Sequence, residues 1–167
     1  MILELAAGKW RADVAPERGG NIVGLRFDGQ NVLAPIRPDN ADPYLIGSPL
    51  LLPANRTAGG RFRFEGRLWR LPVNEPKSGS HVHGLLHTAA FSAAERSDAS
   101  VRLIYENHGE IYPFPFRMEV VYALSESGLA ARYALTNLSD GAMPYSAHDV
   151  RRAGALLRAA GDAAGAG

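Results

Sequence analysis

Three of the chain's five histidines fall within seven residues, as His81, His83 and His87 in HVHGLLH; the others are His108 and His148. On a strand His81 and His83 point the same way, because side chains alternate with period two. Two imidazoles on one face with a third nearby could bind zinc. The H-x-H pattern lacks a carboxylate or further ligand, so no metal and no cofactor are expected. His81 and His87 are expected as solvated loop histidines. Asn55-Arg56 in PANRTAGGRF is the second group. An arginine in a Pro/Gly-rich loop presents a rigid fork of donors. Such a fork suits sugar hydroxyls, and Asn55 can donate and accept at adjacent ones; otherwise Arg56 is one more surface arginine. The third group is Tyr112-Pro113-Phe114-Pro115-Phe116. Each proline removes a ladder donor, so this is a stiff loop rather than a central strand. Its aromatics either plug the end of a sandwich or form an apolar wall for the C–H face of a sugar.

The elements around these groups read as β. Apolar and polar residues alternate in short runs that turn signals separate. GLRF, Asp28-Gly29 and QNVLA form one hairpin, the Asp-Gly pair tolerating the positive φ of a type I′ turn. RFRF, Glu65-Gly66 and RLWRL form another, with Phe62, Phe64 and Leu68 expected on one side and Arg61, Arg63 and Arg67 facing water. Further strands are expected at 91–96, 101–107, 116–125 and 129–137, and long loops at 36–60 and 73–87. Many short strands with close turn signals indicate an all-β antiparallel sandwich or barrel. No βαβ alternation appears, so a doubly wound parallel sheet is not expected. From Arg151 onward the text is mostly Ala, Gly and Arg, with helical spacing at Val150, Ala153, Leu156, Leu157 and Ala160.

Composition bounds the function. The chain has 167 residues, 46% hydrophobic and 21% charged, which suits one globular domain or a large piece of one. Eighteen basic and 17 acidic residues leave a net charge of +1, so nucleic-acid binding has no electrostatic basis at the level of the whole chain. The absence of cysteine removes disulfides, thiolate metal sites and cysteine nucleophiles. No apolar run approaches the ~18 residues of a membrane span. The opening MILELAAGKWRADVAPERGG is not read as a signal peptide, and a soluble cytoplasmic protein is expected. There is no G-x-S-x-G, phosphate loop or G-x-G-x-x-G.

The order of the pieces is more specific than any one of them. VAPERGGNIVGLRFDGQNVLAP, then SPLLLPANRTAGGRFRFEGRLWRLPVN, then HVHGLLH, then YPFPFRMEVVYALSESGLAARYALTNLSDGAMP closely resembles the aldose 1-epimerase (galactose mutarotase) family over roughly residues 10–147. The resemblance implies a β-supersandwich with a sugar cleft across one face. It implies interconversion of the α and β anomers of free aldoses, an aldohexose as small-molecule partner, and no cofactor. The Arg that contacts sugar hydroxyls corresponds to Arg56, preceded by Asn55. The His beside the ring oxygen and anomeric centre corresponds to His83. Ring opening needs a base at the C1 hydroxyl and an acid at the ring oxygen, each worth ~10²–10⁴-fold. An imidazole suits the acid role because its pKa lies near neutrality.

The resemblance stops at about residue 147. The family continues to G-x-H-P-Y-F, whose His is its usual general acid. Here His148 comes about two residues early and lacks the Pro-Tyr-Phe. The family's general base, a Glu far downstream, has no counterpart, and neither Glu106, Glu110 nor Glu119 substitutes by spacing. The expected organisation is a partial mutarotase-like domain over 1–148 and an Ala/Gly/Arg-rich tail over 149–167, either a short helix or text read out of frame. A truncated or frameshifted epimerase and a non-catalytic carbohydrate-binding module are the two readings. Both imply open sheet edges that invite self-association.

Overall fold

Alternating runs broken by turn residues give short antiparallel strands. The computed structural model describes residues 1–34 and 46–149. In chain order these hold β1 (Leu3–Ala7), β2 (Trp10–Ala15), β3 (Asn21–Phe27), β4 (Gln30–Asn31), β5 (Leu50–Leu51), β6 (Arg56–Ala58), β7 (Arg61–Phe64), β8 (Arg67–Arg70), β9 (Ser80–Val82), β10 (Ser92–Arg96), β11 (Ser100–Asn107), β12 (Phe116–Ser125), β13 (Gly128–Asn137) and β14 (His148–Asp149). A 3-10 turn spans Leu86–Thr88. No helix among the described residues is long and apolar enough to cross a membrane. The tail beyond residue 149 lies outside the described residues.

Two meanders carry the fold, β1-β2-β3-β4 and β10-β11-β12-β13, and every ladder among the described residues is antiparallel. They meet where β12 packs over β1 and β2. Period two decides which residues fill the gap. Phe116, Met118, Val120, Tyr122 and Leu124 alternate inward along β12, against Leu3, Leu5, Ala12 and Val14 of the first meander. Full burial of side chains this size is worth ~1.5–3 kcal/mol each. The two type I′ turns form as read: Asp28 and Gly29 have φ of 50° and 78°, Glu65 and Gly66 of 49° and 74°.

Two expectations need correction. The second hairpin pairs Phe64 with Arg67, Arg63 with Leu68 and Phe62 with Trp69. Directly opposed residues share a face, so Trp69 joins Phe62 and Phe64. Leu68 lies on the outer side with Arg63 and is 43% exposed. Arg67 lies on the aromatic face, its guanidinium 4.3 Å over the Trp69 ring. The two-residue turn dictates that register, and counting alternation along each strand without it misplaces both residues. The stretches 36–60 and 73–87 are also not plain loops, since they contribute β5, β6 and β9.

The aromatic run plugs the sandwich. Tyr112, Phe114 and Phe116 are buried, and Phe114 meets Trp69 and Phe64 edge-on or tilted at 4.4 and 5.8 Å. The run is pinned by Asn107, at the end of β11. Its Nδ2 donates to the carbonyls of Tyr112 and Phe114 at 2.7 and 2.8 Å, and its Oδ1 accepts from the Ile111 N–H at 3.1 Å. These carbonyls lie outside any strand ladder, and a buried amide serves them instead. Asn107→Ala should therefore lower stability by roughly 2–4 kcal/mol, since each orphaned buried group costs about 1–3 kcal/mol. A thermal or denaturant melt unchanged by the substitution would refute that account.

Candidate functional site

The site forms where β6 and β9 run out. Arg56 pairs with Val82, Thr57 with His81 and Ala58 with Ser80. One residue further, the His83 N–H donates to the Asn55 carbonyl at 2.9 Å. Both residues are left-handed, Asn55 at φ 61° and His83 at φ 56°, followed by Gly84 at 65°. Left-handed backbone on both sides ends the ladder and frees these side chains from strand alternation. His81 and His83 therefore do not share a strand face as expected. Gly84 bridges Leu52, and a Cβ there would collide with the Leu52 carbonyl. A second segment joins this end. The Ala54 N–H donates to the Ser146 carbonyl at 2.9 Å, and β14 pairs His148 with Leu51 and Asp149 with Leu50. The structure thus gathers Asn55, Arg56 and His83, and brings the backbone of His148 alongside β5. The side chain of His148 lies outside what is described.

The sequence reading missed Glu75. Arg56 donates to it through Nε at 2.8 Å and Nη2 at 2.7 Å, a two-pronged pair. Ser78 Oγ donates to the same carboxylate. The arginine and then the serine hold Glu75 down to a pKa of about 2, and the charge of His83 acts in the same direction. Glu75 reciprocally raises the Arg56 pKa. Backbone bonds fix the acid: the Glu75 N–H donates to the Ser80 carbonyl at 3.0 Å, and the Ser80 N–H donates back at 3.3 Å. Asn74 was missed as well. Its Oδ1 accepts from the Val82 N–H at 2.6 Å and its Nδ2 donates to the Val82 carbonyl at 2.8 Å, so one amide acts as a strand neighbour. The only signal in the text was Asn-Glu-Pro ahead of a Ser/Gly turn. Partners eight and 19 residues away gave no local pattern.

The histidine reading is corrected in two places. His81 is fully buried rather than solvated. Its Nδ1 lies 2.7 Å from the Pro72 carbonyl, which can only accept, so Nδ1 carries the proton. His87 is half-buried in the 3-10 turn, and burial first, then the charge of His83, lowers its pKa. No group of three or more His, Cys, Asp or Glu among the described residues could hold a metal ion. On the Thr57 side of β6 lies a cavity of about 200 Å³, lined by Pro53, Phe62, Leu71, Tyr112 and Tyr145 among others.

A sequence profile of the aldose 1-epimerase family matches residues 1–147. The chain belongs to the aldose 1-epimerase family. Among curated Escherichia coli K12 proteins it is similar to YihR, 32% identical over 147 residues, covering 86% of this chain and 47% of that one. It is also similar to YphB, 27% identical, covering 86% and 49%. Neither name carries an assigned activity. Among solved structures, a galactose mutarotase-like protein from Clostridium acetobutylicum superposes with a TM-score of 0.81 at 26% identity, over 90% of this chain and 49% of that one. An aldose epimerase homologue from C. elegans shares the fold with a TM-score of 0.73 at 18% identity, over 92% and 51%. The chain spans about half the length of the epimerase relatives it matches. The match ends at residue 147, where the resemblance also stops.

Within this epimerase frame Gly84 is the most constrained position of the site. Gly84→Ala adds a Cβ to a left-handed residue packed on the Leu52 carbonyl. The bridge should open and His83 should leave its place beside Asn55. The expected readout is loss of the His83 amide's protection from hydrogen exchange, with a lowered melting temperature. Retained protection would show that the contact tolerates a side chain.

Proposed function

We propose that this epimerase-family chain takes a free aldose at the end of the β6–β9 ladder and favours interconversion of its anomers. The observation that carries the reading is the Asn55–His83 backbone bond, which brings an arginine fork and an imidazole to one end of one ladder. Arg56 holds hydroxyls with the donors that Glu75 leaves over. His83 gives a proton to the ring oxygen as the bond from C1 to that oxygen breaks, while water takes the proton of the C1 hydroxyl; rotation about C1–C2 and the reverse transfers on reclosure give the other anomer. The second histidine of the family corresponds to His148 in position only, and no described residue takes the place of the family's general base. The protein is read as cytoplasmic and as part of carbohydrate metabolism.

The second reading is a non-catalytic carbohydrate-binding module, favoured by an exposed Arg56 fork that can hold hydroxyls without any proton transfer. Polarimetry on freshly dissolved α-D-glucose or α-D-galactose separates the two. Under the first, the chain accelerates mutarotation, and His83→Ala cuts the acceleration by roughly 10²-fold or more, the worth of one placed proton-transfer group. An unchanged rate in that variant would reject the assignment of His83. Sugar binding without acceleration would favour the module.

We also infer self-association. β13 is ten residues long and is paired only with β12 among the described strands, leaving a long edge. Such an edge templates pairing with another chain. Light scattering coupled to gel filtration should find dimers or larger species; a monomer at micromolar concentration would count against it.

A further inference from the structure

We propose that Glu75 is a specificity-determining residue that cancels the charge of the Arg56 fork, so that the sugar-facing end of the molecule takes uncharged aldoses and rejects their phosphate esters and other anionic sugars. The proposal rests on the sugar reading above and names the substrate class of that site.

An exposed arginine with no acid beside it is an anion receptor, because its planar fork matches phosphate and carboxylate oxygens. Arg56 is 57% exposed at the side chain, yet two of its five N–H donors, on Nε and Nη2, are already spent on Glu75. Three donors remain, on Nη1 and the outer side of Nη2. A hydroxyl needs only such a donor and is indifferent to the net charge behind it. An anion arriving at the same donors meets the Glu75 carboxylate behind them, and the two unit charges largely cancel. Glu75 is ionised near neutral pH, because Arg56 and Ser78 hold its pKa down to about 2.

The turn that carries Glu75 is also held by the backbone, through the reciprocal bonds of Glu75 with Ser80 and the turn bonds of Ser78 to Glu75 and Gly79 to Pro76. Strand β9 is held separately by the Asn74 amide. The carboxylate acts on Arg56 and Ser78, and its effect is to aim the fork and cancel its charge. It is a positioning and selecting group, not a proton-transfer group, since a carboxyl this acidic makes a poor base.

The test uses the 167-residue chain at pH 8, above the ordinary imidazole range. D-Glucose, D-glucose 6-phosphate and inorganic phosphate are titrated separately, with the Arg56 and His83 signals followed by NMR. Wild type should bind glucose in preference to the other two. Glu75→Gln keeps the shape and removes the charge; it should shift the preference toward glucose 6-phosphate by about tenfold or more, and gain phosphate binding. Glu75→Asp keeps the charge and should keep the wild-type preference. Glucose binding with equal or tighter binding of glucose 6-phosphate by wild type overturns this inference and leaves the sugar reading standing. Wild-type selectivity in Glu75→Gln overturns it too. Should Glu75→Gln fail to fold, the wild-type ratio alone decides. No response of wild type to any of the three probes overturns both the inference and the sugar reading.

Discussion

The hydrogen bond from the His83 N–H to the Asn55 carbonyl is the contact on which the site depends. It lies one residue past the last regular pair of β6 and β9, between two residues that both have φ near +60°. A side-chain-bearing residue in that region costs about 1–3 kcal/mol and persists only where its surroundings over-determine it. Asn and His are among the residues that tolerate it best. The strain has a geometric return. A strand that simply continued would point Arg56 and the residue at 83 by strict alternation. Turning both backbones left-handed at the same level stops the ladder and lets the Arg56 and His83 side chains share an end.

The surroundings that hold this contact are mostly backbone-directed polar groups rather than large apolar ones. Gly84 lies against the Leu52 carbonyl where no side chain fits. The Asn74 amide occupies the free side of Val82 as a neighbouring strand would. His81, fully buried, ties the middle of β9 to Pro72. The chain at 146–149 runs beside Ala54 and β5. A short three-residue strand such as β9 has too few ladder bonds to be stable alone. It is stable here because other segments satisfy both its edges, and that same bracing fixes His83 at its end.

How much of this was legible follows from the range of the interactions. Strand β12 was readable to the residue, because Phe116, Met118, Val120, Tyr122 and Leu124 alternate without a break and the proline-rich stretch before it forbids an earlier start. The two type I′ hairpins were readable from Asp28-Gly29 and Glu65-Gly66. Leu68 was misplaced because pairing across the turn, not alternation along one strand, decides its face. His81 reads as a polar loop residue until Pro72, nine positions earlier, supplies the acceptor that allows it to be buried. Arg56 was singled out locally by its Pro/Gly-rich loop and His83 by the H-x-H run, but their roles at a sugar came from the order of motifs. Glu75 was invisible for the converse reason: its partner is 19 residues away, and a glutamate before proline looks like ordinary turn text. Short-period patterns carry strands and turns, whereas a site assembled from ladder ends carries no period at all.

Ion pairs elsewhere in the molecule show why geometry, and not pairing itself, marks this end. Arg117 faces Glu106 directly across β11 and β12, and Arg102 reaches Glu95 and Glu119 from the same sheet. Arg26 grips Asp13 with both arms of its fork, at 2.7 and 3.0 Å. Each of these joins neighbouring strands of one sheet, two of them at a register shift, beside Asp13 and beside Glu95, where it does what cross-strand charge pairs generally do. The Arg56–Glu75 pair joins segments that meet only because β9 is bracketed between them. It sits at the point where backbone pairing stops and beside an imidazole whose charge Glu75 feels. The Arg56 side chain is also the more open, 57% exposed against 34% for Arg26 and 32% for Arg102. Its leftover donors are therefore accessible at the end of the ladder that also carries Asn55 and His83.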